Sequence, residues 1–195
     1  MEEKILFRAK NIYKTFPGVK ALQNVSFDLR EGEVHALLGE NGAGKSTFIK
    51  ILGGDYQPDS GIIEIDGKTV KGLTIQEAKA YGISVVHQEL CLAQNMKVYE
   101  NILLGREITK CGVCDERAMM QYAENVLESL DLNIEPLALT SSLSTGKRQM
   151  LEIAKAVSYG ARIIVMDEPT SSLSDNGVNA LFHTIYKLKK RGLGI

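Results

Sequence analysis

The stretch Gly39-Glu40-Asn41-Gly42-Ala43-Gly44-Lys45-Ser46-Thr47 decides the fold. It fits G-x-x-x-x-G-K-[ST], and its context fits too: the apolar run Val34–Leu38 before it reads as a strand, and Phe48–Leu52 after it begins a helix. The glycines let backbone N–H groups turn inward around a phosphate, and the positive end of the following helix adds attraction for the anion. Lys45 supplies a full positive charge, the Ser46 hydroxyl suits Mg²⁺, and Thr47 is the neighbour of the α-phosphate. A glycine-rich turn that merely joins strand to helix would leave the lysine unexplained. Gly39, Asn41, Gly42, Ala43, Gly44, Lys45, Ser46 and Thr47 are therefore the candidate nucleotide-binding residues.

About 120 residues downstream, the apolar run Arg162–Met166 ends in Asp167-Glu168. A buried strand that delivers two carboxylates at its carboxyl end places them on the usual ligand edge of an open α/β sheet. Asp167 then suits Mg²⁺, directly or through water, and Glu168 suits a general base that polarises the attacking water. A plain surface turn at Asp-Glu-Pro is the alternative, which the upstream loop makes the poorer one.

Between and around these two points the chain alternates. Ile5–Ala9 and Ala21–Leu29 read as strands joined by a turn at Pro17-Gly18, a small β-rich layer. Ile62–Ile65 and Lys68–Val70 flank Asp66-Gly67, a hairpin dipeptide. Met119, Tyr122, Ala123, Val126, Leu127 and Leu130 recur at helical spacing over 115–130, and a second helix is expected from Gly146 to about Ser158. Val178, Leu181, Phe182, Ile185 and Leu188 fall on one face of a last helix that Lys190-Arg191-Gly192 ends. Leu193-Gly194-Ile195 reads as the entrance to another strand, so a C-terminally truncated chain is expected.

Composition narrows the class. The 195 residues suffice for one domain with a substantial core. With 44% apolar and 24% charged residues the balance is that of a globular protein, and no run is long enough to cross a bilayer. A net charge of -1 argues against the broad positive field of nonspecific nucleic-acid binding. The start Met1-Glu2-Glu3-Lys4 does not read as a secretory signal, and only three cysteines point to the cytosol.

Leu143-Ser144-Thr145-Gly146-Lys147-Arg148-Gln149, about 20 residues before Asp167, resembles the signature motif of ABC ATPases, which P-loop kinases and GTPases lack. Physically, Ser144 caps a helix whose first amides and positive dipole end suit a γ-phosphate. Further matches follow: Gln88 in Val85-Val86-His87-Gln88-Glu89 resembles the Q-loop residue, and Phe16, 29 residues before Lys45, stands where the family stacks an aromatic ring on adenine. Asp167–Leu173 matches the Walker B segment and D-loop. The resemblance spans residues 5 to 195. It implies an α/β P-loop NTPase core with a β-rich nucleotide layer and a helical subdomain near residues 90–160, all within one domain. It also implies ATP and Mg²⁺ as ligands, with Glu168, Lys45 and Gln88 catalytic, Ser46, Gln88 and Asp167 on the metal, and Ser144, Thr145 and Gly146 on a nucleotide held by a partner cassette.

The runs His87–Leu90, Asn101–Glu107 and Leu151–Lys155 are similar to bacterial simple-sugar importers, most of all the galactose/methyl-galactoside type, and to their amino-terminal cassette. That likeness implies an ATPase that powers sugar import through an integral-membrane permease, bound peripherally at the cytoplasmic face of the bacterial membrane. The partners it implies are a second cassette in the same polypeptide or a homodimer and, indirectly, a periplasmic sugar-binding protein, with no nucleic acid.

The chain departs from the family at three places. Thr145 and Lys147 replace the usual glycine and glutamine of the signature, Ser174 stands at the D-loop aspartate, and none of His35, His87 or His183 fits the switch histidine, which belongs just beyond Ile195. Weak hydrolysis by this fragment is the expectation. The alternative is a degenerate cassette that binds ATP as a non-hydrolytic switch, favoured by Thr145 and Ser174 and opposed by Glu168. A GTPase or small-molecule kinase is disfavoured because no Asn-Lys-x-Asp segment is present, and an ABC ATPase of DNA repair or translation by the sugar-importer-like runs and neutral charge. Cys111-Gly112-Val113-Cys114 has redox or zinc spacing, but zinc wants four ligands and Cys91 is the only other cysteine.

Overall fold

In the computed structural model, residues 4–195 are described; the Met1–Glu3 start, read above for its lack of a signal pattern, lies outside them. By its internal contacts the chain divides into two units. One comprises 1–85, 161–167 and 188–195, and the other 86–160 and 168–187.

The first unit opens with two long strands, β1 (Ile5–Phe16) and β2 (Val19–Arg30), paired antiparallel around Pro17-Gly18. Both run past the expected bounds, and register shifts near Ala9–Ile12 mark the stretch whose alternation the sequence hides; Asn11 there has φ +52°. β1 also pairs with β3 (Ser60–Ile65), which pairs with β4 (Lys68–Val70), giving the order β2-β1-β3-β4. Asp66 and Gly67, at φ +49° and +77°, make the expected hairpin turn. Helix α1 (Lys45–Gly53) buries Phe48, Ile49, Ile51 and Leu52 in a core with Phe7, Ile12, Ile63 and Ile65. Helix α2 (Ile75–Ala80) begins on a capping box in which Thr74 and Glu77 exchange bonds.

β5 (Ile83–Val86) pairs with β8 (Ile163–Met166). Gly194 forms the expected strand entrance: it bridges Ile163 in parallel, and its N–H donates to the Arg162 carbonyl at 2.9 Å. Val34–Leu38, expected as a strand, is not one. His35 N–H donates to Ile195 O at 2.8 Å and Ile195 N–H to Glu33 O at 2.9 Å, but residues 36–38 have no ladder partner among the described residues, and Leu38 is 92% exposed. An apolar run becomes a strand only where a neighbour supplies hydrogen bonds.

The second unit contains α3 (Val98–Leu103), the short hairpin β6 (Thr109–Lys110) and β7 (Val113–Cys114), α4 (Glu116–Ser129), α5 (Thr145–Ser158) and all of α6 (Asp175–Lys190) but its last three residues, which fall in the first. Its core gathers Val98, Tyr99, Ile102, Met119, Leu127 and Leu151. Asp115 caps α4 through the Ala118 N–H. On α6, Leu181 and Leu188 are buried as the periodicity predicts, whereas Phe182, placed on the same face by the sequence reading, is 58% exposed, because 100° per residue carries it off the stripe next to Leu181. No helix of the described residues is long and apolar enough to cross a membrane.

Candidate functional site

The loop 39–47 closes on glycine conformations. Gly42 and Gly44 have φ +85° and +91°, and a Cβ on Gly44 would stand 2.5 Å from the Ala21 carbonyl oxygen and 2.8 Å from Leu22 Cδ2. Gly44 is also the N-cap of α1, so no side chain caps this helix and no carboxylate occupies its first turn. The first-turn amides of Lys45, Ser46 and Thr47 are thus left without a helix-internal acceptor at the positive end of the helix. Lys45 Nζ folds back to donate to the carbonyls of Gly39 at 2.6 Å and Glu40 at 3.0 Å. Asn41, Ala43 and Ser46 lie exposed around this turn. Uncapped amides, a lysine over the loop and a hydroxyl one residue on are the elements of a phosphate cradle.

Phe16, at the end of β1, is half-buried and not a core residue. Its ring meets Tyr56 edge-on at 5.4 Å, and Lys14 Nζ lies 5.5 Å from its centroid. Asp59 fixes this strand end. It accepts from Lys14 Nζ at 2.8 Å and from the Thr15 N–H and hydroxyl at 2.6 and 2.7 Å. The Lys14 bond, then those from Thr15, hold its carboxyl down at about 2. Tyr56 and Asp59 were not singled out in the sequence, where nothing local ties them to Phe16.

Asp167 follows β8 directly and is half-buried, in the same unit as the loop and Phe16. Ser46 and Asp167 offer hard oxygen donors, the chemistry Mg²⁺ prefers. Gln88, Glu168 and the signature stretch belong to the second unit. Gln88 is exposed in a bend after β5, not a buried amide. Glu168 is exposed with φ +47°, uncommon for a non-glycine residue, and its carbonyl accepts from the Ser171 N–H at 3.2 Å and hydroxyl at 3.0 Å.

Ser144 caps α5, accepting from the Lys147 N–H at 3.4 Å, and Ser174 likewise accepts from the Gly177 N–H at 3.4 Å at the start of α6. The two helices approach through their glycines: a Cβ on Gly146 would lie 3.9 Å from Gly177 Cα. Ser144, Thr145, Gly146 and Lys147 open onto a cavity of about 550 Å³ that Ser174 and Gly177 line from the other side. Thr145 takes the first helical position with its side chain exposed. Cys111 and Cys114 are exposed free thiols on the β6–β7 hairpin, Cys111 in its turn. Among the described residues no group of three or more His, Cys, Asp and Glu is arranged to hold a metal.

A phosphate cradle after a β-rich layer, followed by a capped signature helix and an Asp-Glu strand end, defines a nucleotide-binding cassette. The chain belongs to the ABC transporter family, which it matches over residues 22–171. It is 50% identical over 190 residues to the galactose/methyl galactoside import ATP-binding protein MglA of Salmonella typhimurium, covering 97% of this chain and 38% of that protein. It is 48% identical over 190 residues to the ribose import ATP-binding protein RbsA 1 of Rubrobacter xylanophilus, again with 97% and 38% covered. The chain thus spans little more than a third of the length of these relatives. Among solved structures, the ADP conformation of MJ1267, an ATP-binding cassette of an ABC transporter, superposes with a TM-score of 0.85 at 30% identity over 97% of this chain and 78% of that one. The dimeric post-hydrolysis cassette MJ0796, bound to ADP and Pi, gives 0.77 at 26% identity over 95% and 84%.

Proposed function

We propose that this chain binds Mg-ATP on the loop 39–47 and hydrolyses it as the ATP-binding part of a bacterial importer of a simple sugar, of the galactose/methyl galactoside or ribose type. The observation that carries the reading is the uncapped start of α1 behind Gly44, with Lys45 folded over the loop. The relatives' names support the sugar class.

In this reading the amides of the loop and of the first turn of α1 take the β- and γ-phosphate oxygens, and Lys45 exchanges its own loop carbonyls for them. Phe16 offers its ring to the adenine. Ser46, Asp167 and Gln88 would hold Mg²⁺, which would offset the phosphates' negative charge. Glu168 accepts the proton of the attacking water. Ser144, Thr145 and Gly146 present the start of α5 to the γ-phosphate on a second cassette, either in a longer polypeptide or in a homodimer. Closure of such a pair drives an integral-membrane permease, fed by a periplasmic binding protein, from the cytoplasmic face.

Two variants test the assignment. Lys45→Ala weakens Mg-ATP binding by about tenfold or more. Glu168→Gln keeps the binding but lowers hydrolysis by about 100-fold. Unchanged turnover in Glu168→Gln, measured as phosphate release, contradicts the base assignment.

A further inference from the structure

The segment 87–94 leaves β5 with no helix or strand of its own, and two kinds of contact hold it. Its far end is fixed by Asn101, whose side chain accepts from the Ala93 N–H at 2.8 Å and donates to the Ala93 carbonyl at 3.0 Å. Its middle is fixed by α5. Lys155 Nζ donates to the Cys91 carbonyl at 3.2 Å and Arg148 Nη1 to Gln94 Oε1 at 3.3 Å, while the Glu152 carboxylate between them on the helix faces the Cys91 N–H, which favours its charged form. Positions 148, 152 and 155 share one face of the helix, so one stripe of α5 faces the backbone on either side of the Cys91 Cα.

The grip has a cost. Arg148 Nε and Glu152 Oε1 are buried without a hydrogen-bond partner. An arginine and a glutamate four residues apart on a helix ordinarily satisfy each other; here each reaches to the segment instead. Burial pushes the Glu152 carboxyl up, while Lys155, the Cys91 N–H and His87 pull it back down. A buried polar atom left unpaired calls for an explanation, and here Arg148 is drawn to Gln94 while Glu152 faces Cys91, three residues from Gln88.

We infer that Glu152, together with Lys155, is a positioning residue for Gln88: it ties the segment carrying Gln88 to the helix that Ser144 begins. The inference rests on the role given to Gln88 under the proposed function. The link means that a displacement of α5 moves the Cys91 peptide, and with it the Gln88 backbone.

The test is amide exchange at Cys91 in the intact 195-residue chain, read by NMR alongside the Mg²⁺ dependence of ATP binding. Glu152→Ala speeds Cys91 exchange by about tenfold or more while the α5 amides stay protected. Glu152→Gln, which keeps a carbonyl acceptor, restores most of the protection. Lys155→Met carries the same test if Glu152→Ala does not fold. Unchanged Cys91 exchange in these variants overturns the inference. If Gln88→Ala raises the Mg²⁺ needed for half-saturation, Glu152→Ala raises it too; a shift in the first without the second overturns the positioning role and leaves Gln88's own role standing. No shift in Gln88→Ala removes Gln88 from the metal, and the positioning role falls with it even if Cys91 exchange responds.

Discussion

Gly44 is where the loop's backbone and its chemistry meet. Its φ of +91° is one that an L side chain rarely adopts, and the atom a Cβ would strike is a backbone oxygen, which cannot swing aside. Gly44→Ala is therefore expected to destabilise the first unit by about 1–3 kcal/mol and to weaken ATP binding, as thermal unfolding and titration calorimetry would show. Asp59 makes a second residue-scale prediction. Its folded carboxyl titrates at about 2, below the usual 3.8, so its contribution is full above the unfolded value and is lost as pH falls through about 2. Carbon-detected NMR of that carboxyl should find a midpoint near 2; a midpoint near 4 would mean that the Lys14 and Thr15 bonds do not form in solution. The loop was legible in the sequence because its residues are contiguous and each type answers a chemical need. Tyr56 against Phe16 was not, since 40 residues separate two rings that only the folded β-layer brings together.

At the scale of elements, legibility followed length. α4 and α5, of 14 residues each, repeat their apolar stripe often enough to be read directly. α2 and α3 have six residues each, too few to show a period. Val34–Leu38 misled because its composition is that of a strand while its ladder depends on what lies beside it. In the second unit, Asn101 is fully buried yet satisfied: besides Ala93, its amide donates to Thr140 Oγ1 at 2.8 Å and to the Lys97 carbonyl at 3.3 Å. Replacing it with alanine strands those groups, and denaturant unfolding should show a loss of about 1–3 kcal/mol. An unchanged midpoint would mean that Thr140 and the 93–97 turn find other partners.

For the whole molecule, the sequence motifs and the fold agree on an ABC cassette, and their division between the two units is the new information. The loop, Phe16 and Asp167 belong to one unit, and Gln88, Glu168 and the signature to the other. Linear spacing could not reveal that division, because Asp167 and Glu168 are neighbours in the chain yet fall on either side of it. It places the phosphate loop, Phe16 and Asp167 of the proposed function together in the first unit. The most direct test is calorimetric titration of this chain with Mg-ATP, with GTP as competitor and Lys45→Ala as control. The account predicts selective, saturable ATP binding that the Lys45 variant weakens by about tenfold or more. Equal affinity in wild type and variant, or no binding at all, would contradict it.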